Sequence, residues 1–157
     1  MRLTYLIIII MLANNKTVAS EYIYSSVFYN ETIVYSKGNR QITFVGEKES
    51  FDVEECSTIK FECFKTFGIT FSVTKNGLKQ GNKWSHNGYV YAVNNFIPKQ
   101  KSAFGVSYFV IHSVDVQNQP IGLFMYSEKE GLIGMRLLKG PHQGDVWIKI
   151  SKKGFPM

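Results

Sequence analysis

Residues 67–73 read Phe67-Gly68-Ile69-Thr70-Phe71-Ser72-Val73. Phe67, Ile69, Phe71 and Val73 share one parity, and Gly68, Thr70 and Ser72 share the other. Strand side chains alternate between two faces, so the segment reads as a β-strand with one apolar face and one small, polar face. That is the pattern of a half-buried antiparallel strand.

The alternation recurs on either side. Ile59, Phe61 and Cys63 alternate with Lys60 and Glu62. Val146, Ile148 and Ile150 alternate with Asp145, Trp147 and Lys149. Residues 89–92, 108–111 and 122–126 are apolar on both parities, which predicts central strands covered on both sides or closed into a tight barrel. Residues 23–29, 32–35, 41–45 and 132–138 complete the strand set. Asn76-Gly77 and Asn87-Gly88 tolerate positive φ and mark turns. Glu128-Lys129-Glu130-Gly131 fits a hairpin connection with glycine in the left-handed position, and Asn30-Glu31 fits an N-terminal turn. Helical periodicity is weak, with residues 50–57 the one candidate. Residues 77–87 read as a polar loop. The expected fold is all-β, a single antiparallel β-sandwich or small β-barrel of about 8–10 strands, with room for one short helix.

The N-terminus carries a different signal. Met1-Arg2 precedes an apolar run from Leu3 to Ala13 that contains four consecutive isoleucines. Polar residues follow, then Val18-Ala19-Ser20. This is the order of a secretory signal peptide over residues 1–20, cut after Ala19 or Ser20. The run falls short of the roughly 20 residues a spanning helix needs, so no stable membrane span is expected after cleavage. One β-rich exported domain over residues 21–157 remains, periplasmic or secreted. Losing Arg2 and Lys16 lowers the formal charge from +6 to +4. The remaining basic residues are scattered, without the aromatic-interleaved stripe of a nucleic-acid surface. Eight strands of an outer-membrane barrel fit the length, but several segments are short of the usual 9–11 residues.

Cys56 and Cys63 are the only cysteines. An oxidising compartment favours their pairing. An extended chain would hold their Cα atoms over about 20 Å apart, and a helix about 10 Å. A disulfide needs less than about 7 Å. The chain must therefore fold back, with a turn at Ser57-Thr58.

Catalytic signatures are missing from the sequence. There is no nucleophile elbow, phosphate loop or zinc-protease helix. An oxidised cysteine pair offers no thiolate. Asp52, Glu54, Glu55 and Glu62 cluster in sequence but read as turn and strand-face charges. His86, His112 and His142 are dispersed, with no spacing that implies a metal, so no cofactor or metal is expected. Asn30-Glu31-Thr32 matches a glycosylation acceptor, which matters only in a eukaryotic secretory pathway.

Aromatic residues number 23 and most must fill the core, but the tyrosine excess is suggestive, since tyrosine suits partly wet interfaces. Two groups stand out. Trp84, His86, Tyr89 and Tyr91 crowd one turn as a candidate binding surface. Tyr22, Tyr24, Phe28, Tyr29 and Tyr35 crowd the first mature segment. The function expected is that of a small non-enzymatic exported protein, an inhibitor, immunity or envelope accessory factor. Its partner would be a protein or a cell-envelope component. The alternatives are a β-barrel that binds a small ligand and an enzyme with an unmarked site.

Overall fold

The computed structural model describes residues 21–66, 68–140, 142–151 and 154–155. Residues 1–20, expected from their sequence to be a signal peptide, and Phe67 lie outside them. Thirteen strands run through the described chain. They are β1 (Glu21–Ser26), β2 (Thr32–Ser36), β3 (Gln41–Phe44), β4 (Glu49–Asp52), β5 (Glu54–Glu55), β6 (Phe61–Thr66) and β7 (Ile69–Thr74), then β8 (Lys83–His86), β9 (Tyr89–Ile97), β10 (Tyr108–Asp115), β11 (Pro120–Ser127), β12 (Gly131–Leu137) and β13 (Val146–Lys149). A single 3-10 turn, Lys99–Lys101, is the only helical element among the described residues. The all-β expectation holds.

Ten strands form one antiparallel sheet in the order β4-β3-β2-β1-β13-β12-β11-β10-β9-β8, and β5-β6-β7 form a small second sheet. β2 and β8 lie seven places apart in the large sheet, more than about 30 Å if it were flat. Yet Tyr35 of β2 stacks on Phe64 of β6 at 6.1 Å, and His86 of β8 meets Phe61 of β6 at 4.7 Å. Phe124 of β11 meets Phe71 of β7 at 4.8 Å. The large sheet therefore curls around the small one.

This arrangement changes the reading of β7. All of Ile69, Thr70, Phe71, Ser72 and Val73 are buried. The Phe71 face meets the concave sheet. On the opposite face Ser72 pairs with Cys63, whose Sγ accepts a hydrogen bond from Asn87 Nδ2 at 3.5 Å. The strand is covered on both sides because the large sheet wraps past its edge, and small side chains fit the tighter side.

Residues 50–57 are not helical. β4 belongs to the large sheet and β5 to the small one, and the chain crosses between them at buried Val53. Val53 N–H donates to the Arg40 carbonyl at 2.7 Å. The polar interval 77–87 also contains β8, in which Trp84 and His86 alternate with exposed Lys83 and Ser85. The two-sided apolar strands β9, β10 and β11 are buried on the concave side only. On β10 the residues Phe109, Ile111 and Ser113 are buried, while Tyr108, Val110, His112 and Val114 are half-buried. On β13 the apolar set Val146, Ile148 and Ile150 takes the outer face, and Trp147 is fully buried. Its large ring area outweighs the smaller aliphatic side chains in choosing the face.

Turn chemistry matches expectation. Asn87 and Gly88 both have positive φ and join β8 to β9. Gly131 takes φ +75° where β11 turns into β12. The C-terminal segment closes the core. Leu132 N–H donates to Phe155 O at 2.6 Å, and Gly154 N–H to Glu130 O at 2.7 Å. The buried Tyr24 hydroxyl donates to Leu132 O at 3.0 Å and accepts from Phe155 N–H at 3.1 Å. The Phe155 ring then meets Tyr22, Tyr35 and Phe64.

Cys56 and Cys63 form a disulfide, with Cα atoms 5.0 Å apart. β5 pairs Glu55 with Phe64 on β6, and one further step along this register sets Cys56 opposite Cys63. The turn occupies residues 57–60, and Thr58 N–H donates to Phe61 O. A formed disulfide is compatible with an oxidising extracellular compartment. Its loop is short, so replacing both cysteines by serine should cost about 2–3 kcal/mol. Urea unfolding of the double variant checks this; unchanged stability would mean that the hairpin is already fixed without the crosslink.

Candidate functional site

The Trp84, His86, Tyr89, Tyr91 group does not lie together on an open surface. Tyr91 is fully buried, and Trp84 stacks over it at 5.5 Å with an interplanar angle of 11°. His86 leans on Phe61. Trp84 Nε1, His86 Nδ1 and Tyr91 Oη are buried without a hydrogen-bond partner. Burial holds the His86 pKa below its ordinary value, and does the same for His112. Most of this group therefore packs the β8–β9 hairpin onto the small sheet. Tyr89 and Trp84 line separate clefts.

The N-terminal aromatic group divides. Tyr22, Tyr24 and Tyr35 are core residues. Val27, Phe28 and Tyr29 form the tip between β1 and β2 and are 56%, 68% and 61% exposed. The tip is ordered from below: Ser26 Oγ accepts from the Phe28 and Tyr29 N–H groups at 3.3 and 3.0 Å. Ser26 N–H donates to Glu31 O at 2.9 Å, and Val27 N–H to Val146 O at 2.8 Å. Val45, just after β3, is also exposed, its N–H bonded to Thr32 O. Single exposed apolar residues are ordinary. Ile59, 97% exposed at the disulfide-closed turn, is one of these. Three in succession on a hydrogen-bonded turn are not.

Beneath this tip the structure gathers Glu31, His142 and Asp145. One donor atom from each lies within 4.8 Å of the others. Glu31 comes from the β1–β2 turn and the other two from the β12–β13 loop. That loop is fixed by Gly144 N–H to Leu137 O at 2.7 Å and Asp145 N–H to His142 O at 3.1 Å. The His142 ring stacks on Phe44 at 4.4 Å and meets Trp147 edge-on at 6.1 Å. His142 Nδ1 is 3.4 Å from Asp145 Oδ2. Glu31 Oε1 is buried with no hydrogen-bond partner. Desolvation raises the Glu31 pKa, and the Glu47 and Asp145 carboxylates add to this while His142 opposes it. Sequence inspection shows no metal spacing here, because the donors come from opposite ends of the chain.

Among the described residues, three clefts bear on the candidate sites. One of about 500 Å³ is lined by Glu55, Glu62, Glu128, Tyr126, Phe155 and the disulfide. Its carboxylates are already engaged: Glu62 with Lys75 at 2.7 Å, Glu55 with Arg40 at 3.8 Å, and Glu128 with Leu78 N–H at 2.9 Å. Burial, with Glu128 and Glu62 nearby, pushes Tyr126 up to about 12. A second, of about 400 Å³, runs between Tyr89, Thr70, Lys65, Asp115 and Lys139. Lys139 is paired to Asp115 at 3.2 Å and Lys65 to Glu54 at 3.3 Å. A third, of about 340 Å³, lies beside Phe61, Trp84 and Asn82. None of the three includes His112 or His142. No helix among the described residues is long and apolar enough to cross a membrane.

No family model, curated protein or solved structure matches the chain.

Proposed function

We propose that this is a small exported binding protein, without catalytic chemistry of its own, that docks a protein partner in the periplasm or outside the cell. The observation that carries the reading is the exposed Val27-Phe28-Tyr29 tip, hydrogen-bonded at its base through Ser26 and Val27. Aromatic side chains held on a fixed turn supply contact area at little entropic cost, the property of interface anchors. The partner would offer an apolar pocket that receives Phe28 and Tyr29. The disulfide and the signal-like first twenty residues support an exported setting. The aromatic filling between the two sheets favours a surface contact over a ligand enclosed in a barrel.

A photo-crosslinker at Phe28 in the full exported protein tests this. One discrete protein adduct is expected, lost when Tyr29 is replaced by aspartate and retained when exposed Ile59 is. Adducts confined to phospholipid, or no adduct above that of a crosslinker at Ile59, would overturn the proposal.

A further inference from the structure

We propose that Glu31, His142 and Asp145 bind a divalent cation of the zinc class. The inference is independent of the docking reading. One imidazole and two carboxylates are a donor set that suits zinc and leaves a coordination position open. The pair distances favour shared ligation. A good N–H···O bond spans about 2.7–3.2 Å. His142 Nδ1 and Asp145 Oδ2 are 3.4 Å apart, long for that bond. In a tetrahedral zinc site with bonds of about 2.0–2.1 Å, neighbouring ligand atoms sit about 3.4 Å apart. Glu31 completes the set by a small side-chain movement, since all three donor atoms already lie within 4.8 Å.

Two further observations point to a cation. Glu31 Oε1 is buried and unpartnered, a state that costs free energy unless something positive offsets it. Asp145 is only 7% exposed, and no lysine or arginine is ion-paired to either carboxylate among the described residues. The surroundings are also built for a ligand. Phe44 and Trp147 fix the plane of the His142 ring, and the turn through Gly144 fixes the spacing of His142 and Asp145. A bound cation would tie the β1–β2 tip to the β12–β13 loop.

The test is calorimetric titration of zinc ions alone into the chelator-treated, disulfide-intact mature protein, with thermal melting alongside. One-to-one saturable binding and a higher Tm with zinc are expected. Affinity should fall at least about tenfold in Glu31→Gln and in Asp145→Asn, with circular dichroism showing both folded. His86→Gln should bind as the wild type does. Calcium should not compete, because an imidazole nitrogen is a poor calcium ligand. No saturable zinc binding, equal binding in wild type and Glu31→Gln, or displacement by calcium would each overturn the proposal. Glu31 sits on a surface turn, so its variant keeps the test decisive even if Asp145→Asn fails to fold.

Discussion

Gly154→Ala is expected to lower stability by about 3–5 kcal/mol, the size of losing a buried phenylalanine from the core. A Cβ at position 154 would overlap the Leu132 carbonyl and lie 3.1 Å from Leu132 N. Those are backbone atoms of β12, held in register with β11 and β13, and they cannot turn aside as a side-chain end can. The close packing is mutual, because a Cβ on Gly131 would collide with the Gly154 carbonyl. The tail must lift instead. That breaks the Leu132–Phe155 and Gly154–Glu130 hydrogen bonds and withdraws the Phe155 ring from Tyr22, Tyr35 and Phe64. It also strips Phe155 N–H from the Tyr24 hydroxyl. Urea denaturation followed by tyrosine and tryptophan fluorescence measures the effect. A midpoint within about 1 kcal/mol of wild type would show that the tail does not close the core.

Phe71→Ala should cost a comparable 3–5 kcal/mol or so, for a different reason. Phe71 is fully buried in the seam between the sheets, against Phe64, Phe124 and Tyr126. Its removal leaves a cavity that rigid strands on both sides cannot collapse to fill. Because the large sheet is curled around this seam, unfolding should remain one cooperative transition with a lower midpoint. Separate melting of the small sheet, seen as a second transition or as early exchange of β6 and β7 amides, would contradict the wrapped arrangement.

Much of the strand pattern was legible from local chemistry. Period-two alternation placed β6, β7 and β13, and the Asn87-Gly88 and Gly131 turns sit where positive φ demands them. The disulfide followed from the expected compartment and from chain geometry. Face and layer were less accessible. Trp147 took the inward position that aliphatic alternation assigned to Val146 and Ile148, because burial area is settled by what stands opposite, here Phe44. Residues 50–57 looked weakly helical because Phe51, Val53 and Glu54 can sit on neighbouring helical turns; the chain instead changes sheets at Val53, and no local rule encodes that crossing.

The candidate sites divide in the same way. Tyr22, Phe28, Tyr29 and Tyr35 are chemically alike in sequence, yet two are core and two are exposed. Only the turn held by Ser26 separates them. Trp84 and His86 were conspicuous in sequence but pack largely inward, because the large sheet curls far enough to set them against β6.

The sequence by itself determined most of the strands, though not β4, β5 and β8, together with the main turns and the cysteine pairing, since each rests on interactions within a few residues or on parity along one strand. Only the tertiary structure decided which faces are buried, which aromatic residues reach solvent, and that Glu31 meets His142 and Asp145. Those outcomes depend on pairing β1 with both β2 and β13, a contact between the two ends of the chain that no local pattern specifies.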